Sequence, residues 1–132
     1  MARRVYFCFH YIDIFRVNQV RNSWLTHRDR GSAGFYDAAE FERLQRQGDM
    51  AIKHWIREQL WNTSVTVALV GSDTWRRPYV QYEIEQSIEM GKGLLAIHLH
   101  NINSIGGPIR PGPSPFLHHA PGRWVPSYDW IL

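Results

Sequence analysis

Glu83 and Glu85 stand in the run Pro78-Tyr79-Val80-Gln81-Tyr82-Glu83-Ile84-Glu85, the part of the chain best equipped for chemistry. The run opens a helix directly after a strongly apolar strand. In an open α/β sheet that position borders the crevice at the carboxyl ends of the strands, where ligands bind. Val80, Ile84 and Ile88 make the apolar stripe of the helix. Glu83 and Glu85 lie about 100° to either side of Ile84, so both flank the core. A helical glutamate is ordinarily a solvated surface residue. Here tyrosines flank the pair, and Tyr79 sits one turn before Glu83 on the same side. A carboxylate among aromatic rings suits a sugar-containing ligand. Periodicity does not choose between the two glutamates.

Other candidates are weaker. His10 follows the first apolar run, Val5-Tyr6-Phe7-Cys8-Phe9. A histidine there is ordinarily structural or exposed, but a polar ligand contact is also open to it. Asp13 is better placed to cap the next helix than to catalyse. His98-Leu99-His100 sets two imidazoles on one face of a strand. With His118-His119 they invite a zinc reading, yet no Cys or carboxylate joins them in a known spacing, so no metal site is expected. Gly91-Lys92-Gly93 follows a helix, whereas a phosphate loop must open one. Gly106-Gly107 lies in a proline-rich stretch and is no dinucleotide fingerprint. Ser64, Ser72 and Ser87 lack a nucleophile-elbow context.

The elements that must position these residues follow from hydrophobic period. Residues 5–9 read as a buried strand. Val17, Val20 and Trp24 share one face of a helix over residues 14–25. Gly31-Ser32-Ala33-Gly34 breaks that helix, and Phe35-Tyr36 offer a short second strand. Asp37 with Glu40 starts a short helix running to about Gln47. A new helix begins at Gly48-Asp49, with Ile52, Trp55, Ile56 and Leu60 on one face. Residues 64–70, rich in β-branched side chains, form the clearest strand. Pro78 suits the first helical turn, and Gly91 and Gly93 end the helix. Residues 94–99 are another buried strand. Six of the seven prolines follow Leu99, so residues 104–126 read as irregular. A short edge strand falls within residues 125–132.

Strands alternating with helices imply an α/β fold with a mostly parallel five-stranded sheet and helices on both faces. Right-handed crossovers and a length of 132 residues favour the flavodoxin-like strand order 2-1-3-4-5. Its switch point falls between the first and third strands. Phe9, His10, Tyr11 and Asp13 should therefore meet residues near Trp75, Tyr79 and Glu83.

Composition sets the outer bounds. The length suits one domain over residues 1–132, with a core that needs neither disulfide nor metal. Cys8 has no second cysteine to bridge to, which is compatible with a reducing compartment. No signal-like segment or spanning apolar run is present, so a soluble cytoplasmic protein is expected, with no membrane partner. The formal charge of +3 is spread out. Arg3-Arg4 and Arg76-Arg77 are pairs, not a nucleic-acid stripe, so no nucleic-acid partner is expected. Most of the aromatic residues, 14% of the chain, should serve the core.

Several ordered segments together resemble the TIR-like (Toll/interleukin-1 receptor-like) proteins of bacterial Thoeris anti-phage defence. They are Arg3 to Tyr11, Phe15 to Trp24, Asn62 to Val67, Gly71 to Ile84, and Tyr128-Asp129-Trp130. Better-known TIR enzymes carry a Ser-Tyr pair after the first strand. Phe9-His10-Tyr11 stands there instead and resembles the Thoeris branch.

The resemblance implies a TIR fold and an enzyme that consumes NAD as its substrate, with no separate cofactor. It implies that Glu83, rather than Glu85, is the catalytic residue. The family's products are nucleotide signals, either cyclic ADP-ribose isomers or ADP-ribose conjugates. A partner effector senses the signal and kills or arrests the infected cell. Self-association generally completes the site in such enzymes. On this reading Glu83 holds the ribose hydroxyls and opposes the charge of an oxocarbenium-like state. Phe9, Trp75 and Tyr79 are candidates to stack on nicotinamide or adenine. Arg16 or Arg77 would pair with the pyrophosphate. His10 and Asn18 would bond ribose or amide groups, and Tyr11, Asp13 and Tyr82 complete the expected substrate-facing set. Two other classes stay open: a non-catalytic interaction module, and a nucleoside deoxyribosyltransferase-like enzyme on the same scaffold.

Overall fold

The computed structural model describes residues 4–25, 31–33, 38–103, 107–120 and 122–130. Strands β1 (Arg4–Phe9), β2 (Gly31–Ala33), β3 (Val65–Val70), β4 (Gly93–His98) and β5 (Ser127–Asp129) form one sheet in the order β2-β1-β3-β4-β5. Every neighbouring pair is parallel. Helices α1 (Ile14–Leu25), α2 (Ala38–Gln47), α3 (Asp49–Trp61), α4 (Pro78–Glu89) and α5 (Phe116–His119) connect or cover it. The architecture is the flavodoxin-like α/β class expected from the order of elements.

Side-chain alternation along the strands makes two cores. Tyr6, Cys8, Ala68, Val70, Leu94 and Ala96 face one way and pack with Ile52, Ile56 and Leu60 of α3 and Val80 and Ile84 of α4. Val5, Phe7, Phe9, Val67 and Leu69 face the other way and pack with Val17 and Val20 of α1. Both faces of β1 and β3 are thus covered, which explains their nearly continuous apolar runs. Trp24, the third residue of the α1 stripe, has a side chain outside the described set.

One row across the first face is unusually small. Cys8 pairs in register with Ala68, and Ala68 with Ala96. All three are fully buried. On α4, Val80, Glu83, Ile84 and Ser87 are buried. Ser87 Oγ donates to the Glu83 carbonyl at 2.7 Å and lies 2.7 Å from Thr66 Oγ1. Because the Ser87 proton is used on Glu83, Thr66 donates to Ser87, and α4 is tied to β3 through two satisfied hydroxyls.

Two expectations change. The second strand is Gly31–Ala33, in the segment read as a breaker. Phe35-Tyr36 and Asp37 lie outside the described residues. Short side chains at an edge need only pair their backbone, as Arg4↔Gly31 to Tyr6↔Ala33 does here, so side-chain pattern carries little signal for such a strand. The stretch read as irregular after residue 104 also contains the short helix α5, whose Phe116 and Ala120 flank join the α3–α4 core. Among the described residues, no helix is long and apolar enough to cross a membrane.

Lys92 closes the opposite end of the sheet. It is 5% exposed, and its Nζ donates to the Leu60 and Thr63 carbonyls and to Thr63 Oγ1, the last at 2.7 Å. A cation here caps the carbonyl-rich C-terminal end of α3, where positive charge is favourable. Burial holds its pKa below the usual lysine value. The glycine-flanked lysine therefore has a structural task. Lys92→Met should strip the Thr63 carbonyl of its ammonium donor, while the Leu60 carbonyl keeps its bonds from Thr63, and cost about 2 kcal/mol. Urea unfolding that shows a lower midpoint with an unchanged slope would bear this out; an unchanged midpoint would refute it.

Candidate functional site

The site is built where β1 and β3 end. Beyond β1 the chain passes His10, makes one 3-10 turn over Tyr11–Asp13 and enters α1. Beyond β3 it passes Gly71, makes a 3-10 turn over Thr74–Arg76 and enters α4 at Pro78. The Gly71 amide donates to Thr74 Oγ1 at 2.8 Å, which folds this second loop back on itself.

Glu83 is 1% exposed, on the face of α4 turned to the sheet. Its charge reaches Cys8 of β1. Burial pushes the Cys8 thiol well above its ordinary pKa, and Glu83 pushes it further. Glu85 is exposed and helps line a groove between the first turns of α3 and α4. Geometry therefore separates two glutamates that period left equivalent: one is buried against β1, the other is in water.

His10 is half-buried. Burial lowers its pKa first, then Arg77; Asp73 opposes them and Arg76 adds a smaller lowering. These effects place His10 of the first loop in the electrostatic reach of three charges from the second. Arg77 is exposed, and Arg76 is paired with Asp73 at 3.0 Å. A neutral imidazole beside an exposed guanidinium can offer both a lone pair and a charge to a phosphorylated ligand.

Asp13 is 5% exposed, at the junction into α1. Its Oδ2 is buried with no hydrogen-bond partner among the described residues. Its carboxylate lies so close to Gly71 that a Cβ there would overlap it. Burial raises its pKa to about 6, against the lowering effect of Arg16 and with a further push from Asp73.

The remaining expected residues divide. Phe9 is 4% exposed and belongs to the α1-side core, so it packs rather than presenting a ring to the crevice. Arg16 is also 5% exposed, and its guanidinium donates to the Ile102 carbonyl at 3.0 Å and to the Gly107 carbonyl. Those bonds anchor the chain beyond β4 and occupy the group assigned to pyrophosphate, which leaves Arg77 as the accessible one of the pair. Tyr11 is exposed, and Asn18 is partly buried on α1. Trp75 is partly buried, and its carbonyl lies 3.1 Å from His119 Nε2.

Tyr79 and Tyr82 turn toward α3. The Tyr79 hydroxyl donates to Asp49 Oδ1 at 2.9 Å, and Lys53 Nζ lies 5.2 Å from the centre of the Tyr82 ring. Both tyrosines line the groove of about 360 Å³ that also contains Glu85. Tyr79 therefore does not share Glu83's side, because Glu83 turns inward.

Several contributors were missed. Asp73 opposes Arg77 at His10, and the dense run Asp73-Thr74-Trp75-Arg76-Arg77 was the available signal. Gly112 approaches so closely that a Cβ would overlap the Gly71 carbonyl, and Ser72 Oγ donates to the Arg110 carbonyl at 2.6 Å. The proline-rich segment is thus stacked on the second loop. Nothing in its sequence shows where it docks.

A parallel sheet in this order with a buried glutamate on the helix after β3 fits a TIR-like domain. A family model described as "Thoeris protein ThsB, TIR-like domain" matches residues 6–104, three quarters of the chain, and the chain belongs to that family. A relative from Bacillus cereus (strain MSX-D12), named "Putative cyclic ADP-D-ribose synthase ThsB1", is 41% identical over 138 residues. The match covers 98% of this chain and 72% of the relative.

The Asp13 carboxyl has a direct consequence for stability. The folded state holds its proton to about pH 6, whereas an unfolded aspartate releases it near 3.8. Between these values the folded state is the proton-richer one, so this group makes stability fall as pH rises through that window. Asp13→Asn removes the titration. Relative to the parent it should gain about 1 kcal/mol above about pH 6, discounted for water reaching the loop. Denaturant unfolding from about pH 4 to about pH 7 tests this; a parent–variant difference constant across that range would contradict it.

Proposed function

We propose that this protein cleaves the nicotinamide–ribose bond of NAD and converts the ADP-ribosyl group into a nucleotide signal for an effector protein. The observation that carries the reading is Glu83, a carboxylate 1% exposed on the sheet-facing side of α4. Membership of the Thoeris TIR-like family supports it, as does the relative's name.

The chemistry asks little of a protein acid. The N-glycosidic bond breaks and its electron pair leaves with nicotinamide, a neutral base. Positive charge develops on the ribose ring. A carboxylate in a site of low dielectric opposes that charge far more strongly than it would in water. Glu83 takes this role and holds the ribose hydroxyls. Arg77 pairs with the pyrophosphate, and His10 bonds a ribose or amide group. Trp75 offers an aromatic face. An acceptor then closes the reaction. An adenine nitrogen of the same molecule gives a cyclic product, another small molecule gives a conjugate, and water gives ADP-ribose. The relative's name favours the cyclic product.

Burial of Glu83 adds a condition. The elements around it must part before ribose reaches the carboxylate, which supports a site completed by self-association. Activity is then low in isolated chains and rises on assembly.

Incubation with NAD, followed by mass spectrometry of the products, tests the proposal. Concentrated or assembled protein should release nicotinamide. Glu83→Gln should lower the rate by at least about a hundredfold while its circular dichroism matches the parent. Glu85→Gln, a change in an exposed side chain, should keep activity. Full activity in Glu83→Gln would sink the assignment, and loss only in Glu85→Gln would move it. Absence of nicotinamide release even in assembled protein would favour an interaction module, and consumption of free nucleosides instead of NAD would favour a deoxyribosyltransferase.

A further inference from the structure

His98, His100 and Asp129 lie at the carboxyl edge of the sheet, at the ends of β4 and β5, two and three strands out from β1. His98 pairs in register with Val70 on one side and with Asp129 on the other. His98 ends β4, and His100 lies two residues on in the turn that follows. Their rings are edge-to-face, with centroids 6.2 Å apart at 71°. His100 Nε2 lies 4.0 Å from Asp129 Oδ2. Taking one ligand atom from each residue, the three atoms all fall within 4.8 Å of one another.

We propose that these three side chains form a binding site for a divalent first-row transition metal ion, with zinc the natural probe. Two imidazoles and one carboxylate are the donor set that such ions prefer, whereas magnesium and calcium prefer oxygen alone. Neutral histidine is the ligand form.

The ligands are held from outside as well. Ser127 Oγ lies 2.8 Å from His98 Nε2 and fixes the plane of that ring. The Trp130 amide donates to the His98 carbonyl at 3.0 Å, which locks β5 beside the end of β4. Such outer contacts are what orient metal-binding histidines. Asp129 supplies the mobility, since its side chain is about half exposed and can swing by the ångström or so that ligation requires.

Three protein ligands leave coordination positions open. His98 and Ser127 also line a cavity of about 400 Å³ together with Phe116, Ala120, Arg123 and Val125. An ion here borders a space of a size to admit a small ligand.

The test uses the full chain without a polyhistidine tag, stripped with a chelator and titrated with zinc by calorimetry. One ion should bind per chain, and zinc should raise the melting temperature. His98→Ala, His100→Ala and Asp129→Asn should each weaken binding by about a hundredfold. His54→Ala, at an exposed histidine paired with Glu58 on α3, should bind as the parent does. Cobalt absorption should show a single site in the parent and lose it in the three variants. Binding that is absent, or that persists with parent affinity in Asp129→Asn and both histidine variants, would overturn the site. Asp129→Asn, at an exposed edge position, decides the matter if a histidine variant fails to fold. The outcome is independent of NAD cleavage, because the readout is metal affinity.

Discussion

A carboxylate pressed against the middle of a sheet is the constraint around which this structure is arranged. Burying a glutamate is costly unless its surroundings compensate. The row Cys8–Ala68–Ala96 keeps the sheet surface low beneath the first half of α4. Larger residues there would crowd the helix outward and leave Glu83 in water. The thiol of Cys8 stays neutral beside it, held so by burial and by the carboxylate's own charge. One turn on, Ser87 and Thr66 satisfy each other and the Glu83 carbonyl, so α4 cannot rotate without breaking the buried Thr66–Ser87 bond. The apolar anchors Val80 and Ile84 on either side complete the fixation. Carboxylate position is therefore a property of sheet composition as much as of the helix that carries it.

The loops above that carboxylate are joined by close approach. Asp13 comes from the first loop, Gly71 from the second and Gly112 from the proline-rich segment. Neither glycine has room for a Cβ: at Gly71 it would meet the Asp13 carboxylate, and at Gly112 it would meet the Gly71 and Ser72 carbonyls. Arg16 reaches from α1 to the carbonyls of Ile102 and Gly107. His119 and Ser72 add contacts from α5 and the second loop. Four segments distant in sequence therefore share one small volume. A displacement in any of them is felt at the other three, because packing this dense transmits shifts instead of absorbing them.

Much of the scaffold was legible because period is a local property. The stripes of α3 and α4 follow from helical period, and the strands at residues 5–9, 64–70 and 94–99 from short apolar runs and from turn residues at their ends. Strand order then predicted which loops would meet. Other features depend on partners far along the chain. Gly31–Ala33 has no side-chain pattern to announce a strand; its pairing with β1 makes it one. Arg16 looks like a ligand-binding cation on the exposed side of α1, and only the approach of the Ile102 and Gly107 carbonyls shows its guanidinium to be occupied. Phe9 obeys strand alternation, which sends it to the α1-side core; placing it at the crevice followed its position at the strand end and ignored that parity. Glu83 and Glu85 were equivalent by angle, and the small residues at Cys8, Ala68 and Ala96 were the unused clue that the inward side has room.

The same reasoning explains why the histidine pair at the end of β4 and in the turn beyond it reads differently in three dimensions. Spacing along the chain offered two imidazoles and no third ligand. Asp129 lies thirty-one positions beyond His98, yet parallel pairing sets the two opposite each other. Because His98 is also in register with Val70, the residue before Gly71, the cluster shares the carboxyl edge with the Glu83 site. A parallel sheet brings every strand's C-terminal end to one edge, and polar residues that follow strands are gathered there whatever their separation in sequence. Both sites are therefore products of one topological rule, and the stacked segment from Gly107 to His119 lies between them.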